Sequence, residues 1–595
     1  MGLLQIEDCL APDGSIVLPP GVTLISLIDR NIAAVGDAVA YRYLDFSGTA
    51  DVHVREITWN ELGVRMRAIG ARVQEVSARG DRVAILAPQS LEYVAAFFGA
   101  IRAGAIAVPL FAPELPGHAE RLDVALRDAR PSIVLTTAAA RPAVEKFLRT
   151  MTAVPAPEVL TIDDIPDSAA AGFTPTTVGV DDVSHLQYTG GATRSPVGVE
   201  ITHRAVGTNL IQMILSIDLL DRNTHGVSWL PLYHDMGLSM IGFPTVYGGH
   251  TTLMSPAAFV RRPLRWIEAL SDGCRTGRVV TAAPNFAYEW AAARGVPAAG
   301  ADVDLGNVSL IIGSEPVSFD AITTFNAAFA PFGLPPTAFK PSYGLAEATL
   351  FVSTIAPSEQ ARVLFTDRDE LSRSRVVPVA AEHPRALGHV CCGRVARSLW
   401  CVIVDPETAS ELPDGTVGEI WLQGDNLGRG YWDRSAETES TFRARLNRPL
   451  PEGSHTDGAI VHDNWLRTGD LGFYLDGELF VTGRLADIVQ IDGATHYPHD
   501  IESTVAEASP VVRRGYVAVF TVDGQHLVVI AERATGTGRS DPAAAAELIR
   551  RAVRKRHGLD VADVRIVPAG AIPRTTSGKL ARRACRAEYL EGGFD

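Results

Sequence analysis

The chain has 595 residues, more than one hydrophobic core usually supports, so two or more domains are expected. At 46% hydrophobic and 21% charged it is composed as a folded protein and not as a disordered one. Its 54 basic and 69 acidic residues leave a formal net charge of −15, which argues against non-specific nucleic-acid binding and leaves room for a local anion site.

The first residues carry no basic stretch ahead of an apolar one, so no signal peptide is expected. No apolar run reaches the ~18 residues of a transmembrane segment. Gly2 does not mark a myristoylation signal, because Ile6 stands where Ser or Thr is needed. Residues 82–87 (RVAILA) are a strand pattern stopped by Pro88. Residues 90–103 have helical apolar spacing, with Ser90 as N-cap and Gly104 just past the end. Residues 105–110 are apolar again, 118–129 read as a helix and 132–136 (SIVLT) as a strand. Such alternation implies a parallel sheet with helices on its faces. Further strands are expected at 185–188 and 310–312. An apolar segment at 478–482 precedes a domain boundary placed near 483–487. Beyond it, 516–522 and 526–532 flank Asp523-Gly524, a hairpin signal. A helix follows, capped by Ser540 or Asp541, with Pro542 in its first turn and Gly558 at its end. The expected organisation is an N-terminal domain over 1–484 and a small α+β domain over 485–595. The six cysteines form no C-x-x-C pair, so neither a zinc site nor a disulfide framework is expected, and a reducing cytoplasm suits them.

Five stretches carry candidate chemistry. Thr189-Gly190-Gly191-Ala192-Thr193-Arg194-Ser195-Pro196-Val197-Gly198 follows a strand and has the small residues that let backbone N–H groups approach phosphate. No G-K-[ST] closes it, so it is not a Walker A loop. Residues 229–237 (WLPLYHDMG) place His234 beside an aspartate; alone, this reads as a loop histidine bonded to backbone. Residues 340–349 (KPSYGLAEAT) hold Ser342, Tyr343, Gly344 and the acid Glu347, costly to bury without a cation such as Mg²⁺. Upstream of it, Gly313-Ser314-Glu315 follows an apolar strand. Residues 465–472 (WLRTGDLG) and 483–487 (GRLAD) supply Asp470, suited to ribose hydroxyls, and Arg484, suited to phosphate or ribose. Last, residues 573–580 (PRTTSGKL) place Lys579 on a polar turn that could reach a site if the small domain closes.

Taken together and in order, these stretches resemble the adenylate-forming superfamily of acyl-CoA synthetases, peptide-synthetase adenylation domains and luciferases. The wording of 186–189 (LQYT), 228–237 (SWLPLYHDMG), 313–317 (GSEPV), 340–350 (KPSYGLAEATL), 496–502 (HYPHDIE) and 573–583 (PRTTSGKLARR) is similar to the fatty acyl-AMP ligases of mycobacterial type. The resemblance covers nearly the whole chain.

It implies a large N-terminal domain of α/β layers with a β-barrel-like subdomain, and a small mobile C-terminal domain. It implies ATP and Mg²⁺ as cofactors, a fatty acid as substrate, and a holo acyl carrier protein or polyketide synthase carrier domain as acceptor. By the same resemblance the 189–198 loop wraps the β- and γ-phosphates and Glu347 binds Mg²⁺. Gly313, Ser314 and Glu315 line the adenine side and Tyr343 lies near the nucleotide. Asp470, helped by Arg484, holds the ribose, and His234 sits near the acyl carboxylate. Lys579 bridges that carboxylate and the α-phosphate. Residues 358–384 look like the insertion that separates acyl-AMP ligases from acyl-CoA synthetases; composition alone reads them as a surface loop. The chain departs from the usual phosphate loop T-S-G-S-T-x-x-P-K-G at Gly190, Ala192 and Val197, and from the usual hinge residue at Ala486. An acyl-CoA ligase, or a degenerate nucleotide-binding homologue, are the alternatives.

Overall fold

The computed structural model describes residues 2–594 apart from 49–51, 114–117, 152–155, 190–195, 220–221, 461, 492 and 576–578. Two large sheets form the body of the N-terminal part. In the first the strand order is Glu158–Thr161, Ile133–Thr136, Arg82–Ile85, Ile106–Pro109, Val183–Tyr188 and Gly198–Thr202. The first five run parallel and the last is antiparallel. Ile106–Pro109 and Ile133–Thr136 are buried along their full length, as strands covered on both faces must be.

The second sheet has nine strands. Six of them, from Phe339–Gly344 through Val308–Ile312, Val279–Ala283, His225–Ser228 and His250–Met254 to Val39–Asp45, are parallel. Antiparallel strands close both edges. The helix Leu91–Arg102 contacts strands of both sheets, which explains why its residues from Tyr93 to Ile101 are all buried: a helix between two sheets must be apolar all round. Ser90 caps it by accepting from the Tyr93 N–H, and Gly104 follows it at φ +83°, as the sequence pattern implies.

A five-stranded antiparallel sheet follows, ordered Ser410–Glu411, Leu399–Asp405, Gly418–Gly424, Leu466–Leu475 and Glu478–Arg484. A bridge between Cys391 and Phe480 joins it to a two-stranded ribbon of Val363–Asp367 and Ala386–Val390. That ribbon carries the segment 358–384, so the expectation of a plain surface loop is corrected. The segment has its own anchors: Leu371 and neighbouring Leu387 are buried with Phe473, Phe480 and Tyr497. Buried Lys340 donates to the carbonyls of Ala356, Pro357 and Glu359 at 3.1, 2.7 and 3.3 Å, which fixes the chain where the segment begins.

The C-terminal residues build a three-stranded sheet of Val512–Val522, His526–Arg533 and Val561–Val567 under the helices Pro498–Ala508 and Pro542–His557. The first two strands form the expected hairpin, turned by Asp523 and Gly524, both at positive φ (52° and 72°) as a type I′ turn requires. Asp541 is the helix cap, accepting from Ala543 N at 2.9 Å. The strand Val561–Val567 is not in the sequence expectation, although residues 562–566 (ADVRI) alternate apolar and polar. Contacts tie this unit to the 358–384 segment: Thr495 N donates to Ser372 O at 3.1 Å, and the Arg368 guanidinium donates to the Arg556 carbonyl. Among the described residues, no helix is long and apolar enough to cross a membrane.

Candidate functional site

Parallel α/β sheets offer a crevice at the carboxyl ends of their strands. Here the ends of Val308–Ile312 and Phe339–Gly344 open onto a cavity of about 710 Å³. Gly313, Ser314 and Glu315 line it from the first strand, and Ser342, Tyr343 and Gly344 from the second. Ser314 takes φ +73°, which turns the chain sharply off the strand end. Gly344 has no room for a side chain: a Cβ there would lie 1.9 Å from the Leu350 carbonyl oxygen. That contact folds the chain back and sets Glu347 into the cavity.

Asp470 and Arg484 come from neighbouring strands of the antiparallel sheet and are register partners. Asp470 Oδ1 accepts from Arg484 Nε at 3.0 Å and Oδ2 accepts from the Tyr343 hydroxyl at 2.7 Å. Asp470 Oδ1 and Oδ2 thus sit at the cavity wall in a fixed orientation. The beside-lying Asp470 raises the Arg484 pKa further, and burial raises that of Tyr343. Glu347 Oε1 accepts from the Tyr431 hydroxyl at 2.9 Å, which orients the carboxylate.

Lys579 enters from the C-terminal unit. Its backbone is pinned to Thr575, whose N–H donates to Lys579 O at 2.8 Å and whose Oγ1 accepts from Lys579 N at 3.0 Å. Its side chain lines the cavity near Asp235 and Glu315. Burial works against charge on all three groups. It lowers the Lys579 pKa, against the pull of Asp235 and Glu315. It raises both carboxyls, against the pull of Lys579. Glu315 Oε1 also accepts from Asn285 N at 2.9 Å. A site that disfavours unpaired charge in this way suits a ligand that brings charges of its own.

Thus Thr189, Gly313, Ser314, Glu315, Ser342, Tyr343, Gly344, Glu347, Asp470, Arg484 and Lys579 share one cavity. Gly190, Gly191, Ala192, Thr193 and Arg194 lie outside the described residues. The ends of that loop are held, since Thr189 N donates to Val197 O at 3.1 Å across the hairpin of Val183–Tyr188 and Gly198–Thr202. Gly198 is a strand residue packed on the Tyr188 ring. His234 is the N-cap residue of the helix Asp235–Gly242 and lies against the Tyr233 ring at 4.5 Å. Its neighbour Asp235 lines the cavity and was not singled out from sequence. Tyr431 was also missed; the run Gly428-Arg429-Gly430-Tyr431-Trp432 is the signal that offered it.

A family model described as AMP-binding enzyme matches residues 28–432, more than half of the chain. The chain belongs to the AMP-binding enzyme family. As an adenylate-forming enzyme of this family it uses ATP. A second model, the AMP domain of the Disco-interacting protein 2-like type, matches residues 486–595. The long-chain-fatty-acid–AMP ligase FadD32 of Mycolicibacterium smegmatis is 46% identical over 98% of this chain and 96% of its own. A structure from the fatty acyl-adenylate ligases of E. coli and L. pneumophila superposes with a TM-score of 0.83 at 28% identity, covering 97% of this chain and 99% of that one. The fatty acyl-adenylate ligase of L. pneumophila in complex with acyl adenylate and pyrophosphate gives a TM-score of 0.70 at 28% identity, covering 96% of each chain.

Proposed function

We propose that this AMP-binding enzyme joins a fatty acid to AMP, releasing pyrophosphate, and then passes the acyl group to the phosphopantetheine thiol of an acyl carrier protein or polyketide synthase carrier domain in lipid biosynthesis. The observation that carries the reading is the meeting of Lys579 with Asp470, Tyr343 and Glu347 in one cavity, in a chain 46% identical to a long-chain-fatty-acid–AMP ligase.

The chemistry asks an anionic carboxylate to attack an anionic α-phosphate in line. Catalysis is then mostly positioning and charge neutralisation. Lys579 Nζ supplies a cation where the two anions meet. Asp470 accepts from the ribose hydroxyls, held for this by Tyr343 and Arg484. The wall from Gly313 to Glu315 and Tyr343 receives the adenine. His234 lies near the acyl carboxylate, and Thr189 with the loop after it receives the outer phosphates. The residues fit Mg²⁺ in its usual manner, one carboxylate plus substrate phosphates. Glu347 is a tyrosine-oriented carboxylate in the cavity, and no cluster of three or more His, Cys, Asp or Glu capable of holding an ion is present among the described residues. When bound, Mg²⁺ offsets phosphate charge.

A C-terminal domain beginning near residue 485, pivoting about Ala486, would deliver and withdraw Lys579. The 358–384 segment, anchored on both units, favours acyl-AMP over acyl-CoA as the product. Six free thiols suit a cytoplasmic enzyme. The test is pyrophosphate release with ATP, Mg²⁺ and a ladder of fatty acids, split between CoA and a holo acyl carrier protein. Chain-length-dependent release with transfer to the carrier alone is expected. Acyl-CoA formation would assign a CoA ligase, and no release at any length a degenerate homologue.

A further inference from the structure

Thr189 and Glu347 line the cavity from elements far apart in the chain, and residues 428–434 are bonded to the surroundings of both. Along the strand Gly198–Thr202, Trp432 N donates to Gly198 O at 2.8 Å, Glu200 N to Gly430 O at 2.9 Å and Arg429 N to Glu200 O at 2.9 Å. The Arg429 guanidinium adds two bonds to the Glu200 carboxylate, at 2.9 and 3.0 Å. Toward Glu347, Gly428 N donates to its backbone carbonyl at 2.8 Å and the Tyr431 hydroxyl to its carboxylate at 2.9 Å. The far end of the 428–434 loop rests on the C-terminal end of the helix Ala119–Ala129. Asp433 pairs there with Arg130, and the Trp432 ring lies 5.1 Å from the Arg82 guanidinium, which itself donates to the carbonyls of Ala129 and Arg130, both at 3.0 Å.

Asp128 stands at the centre of this junction. Its Oδ1 accepts from Arg434 Nη2 at 2.9 Å, and its Oδ2 accepts from the Tyr188 hydroxyl at 2.8 Å. Burial, with Asp128 adding to it, holds the Tyr188 pKa far above its ordinary value, so the phenol stays a donor. Tyr188 directly precedes Thr189, and its ring packs on Gly198 at the other end of the 189–198 loop. A carboxylate in the last turn of a helix opposes the helix dipole, and both bonds of Asp128 leave its own helix. The helix gains nothing from this side chain; the two loops do. We propose that Asp128 is a positioning residue for the outer phosphates of ATP, an inference that rests on the assignment of the 189–198 loop and Glu347 to Mg·ATP. It has two arms. Tyr188 sets the entry of the 189–198 loop, and Arg434 sets the 428–434 loop, whose Tyr431 aims Glu347. One carboxylate thereby fixes the phosphate cradle and the metal-side carboxylate relative to each other. Asp128 is not a lining residue and acts through these arms alone. Every residue of the network precedes residue 485, so a movement of the C-terminal unit leaves it in place.

The test is calorimetric titration with Mg·ATP and, separately, with AMP, without fatty acid, on the intact chain, Asp128→Ala, Tyr188→Phe and the double variant. Asp128→Ala is expected to weaken Mg·ATP binding about tenfold, the scale of one lost hydrogen bond to a charged group. AMP affinity should stay at the parent value, because AMP carries no outer phosphates. Tyr188→Phe removes one arm and should weaken Mg·ATP by less. In the double variant the two effects should not add, since the hydroxyl has already lost its partner. Parent-like Mg·ATP affinity in Asp128→Ala overturns the inference. Equal weakening of Mg·ATP and AMP overturns it too, as the mark of a general loss of structure, and additive effects overturn the shared anchor. Should Asp128→Ala not fold, Tyr188→Phe decides alone: weaker Mg·ATP with unchanged AMP supports the inference, and unchanged Mg·ATP overturns it. A parent chain that does not bind Mg·ATP overturns the outer-phosphate assignment as well, whereas one that binds it no better than the variants overturns this inference only.

Discussion

Lys579→Ala takes a positive charge out of a half-buried site flanked by Asp235 and Glu315. Two unit charges 4 Å apart attract by about 4 kcal/mol at an effective dielectric of 20. If that attraction is realised as the carboxylate and α-phosphate meet, its loss slows adenylation about 10³-fold. Ground-state ATP affinity should change much less. Without Lys579, the largest pull opposing the tendency of burial to protonate Asp235 and Glu315 is gone, and neutral carboxyls repel phosphate less. Pyrophosphate release at saturating ATP and fatty acid reads the first effect, and calorimetric titration with ATP reads the second. A variant that keeps more than a tenth of the parent rate would refute the assignment of Lys579 to the reacting centre.

Tyr431→Phe removes the hydroxyl that donates to Glu347 at 2.9 Å; at about 1.5–3 kcal/mol for a bond to a charged group, the KM for Mg·ATP should rise at least tenfold, and an unchanged KM across a Mg²⁺ titration would count against Glu347 as the metal residue. Gly344→Ala forces a Cβ to within 1.9 Å of a backbone oxygen, so thermal unfolding should move down by the equivalent of about 1–3 kcal/mol and activity should fall with it; a parent-like melt would show that the Leu350 turn can relax. His185, His203 and His389 are buried and neutral, with pKa values pushed by burial to about 3, about 4 and about 4. Each binds fewer protons folded than unfolded between those values and 6.5, so stability should fall as pH drops through that window, by up to about 1.4 kcal/mol per pH unit for each ring. Denaturant midpoints at pH 7.5, 6 and 5 check this, and equal midpoints would refute it.

The residues that sequence reasoning located best are those whose chemistry has a local signature. Ser90, Gly104, Asp541 and Gly558 punctuate helices through their own backbone needs, so the helix limits were readable. The cavity residues from Gly313 to Lys579 were legible because their order along the chain is specific, even though each stretch alone reads as an ordinary loop. What stayed hidden depended on tertiary placement. Nothing local distinguishes His234, which caps a helix by its backbone, from Asp235, whose carboxyl reaches the cavity. Tyr431 acts through a hydroxyl that meets Glu347 from 84 positions away. The 358–384 segment looked unstructured because its strand and helix are short and its apolar anchors few; they become a ribbon only when Ala386–Val390 lies beside them.

That ribbon changes what trimming the protein would mean. Val363–Asp367 is the hydrogen-bonded neighbour of Ala386–Val390, and the latter is also a wall of the reaction cavity. Excising 358–384 would therefore not simply shorten a loop. It would strip a strand from its mate and leave a row of unsatisfied backbone groups facing water, a template for self-association. A truncated enzyme that precipitates or loses acyl transfer would report on that bared edge, so trimming is better confined to 368–385, with a two-residue turn joining the paired strands Val363–Asp367 and Ala386–Val390.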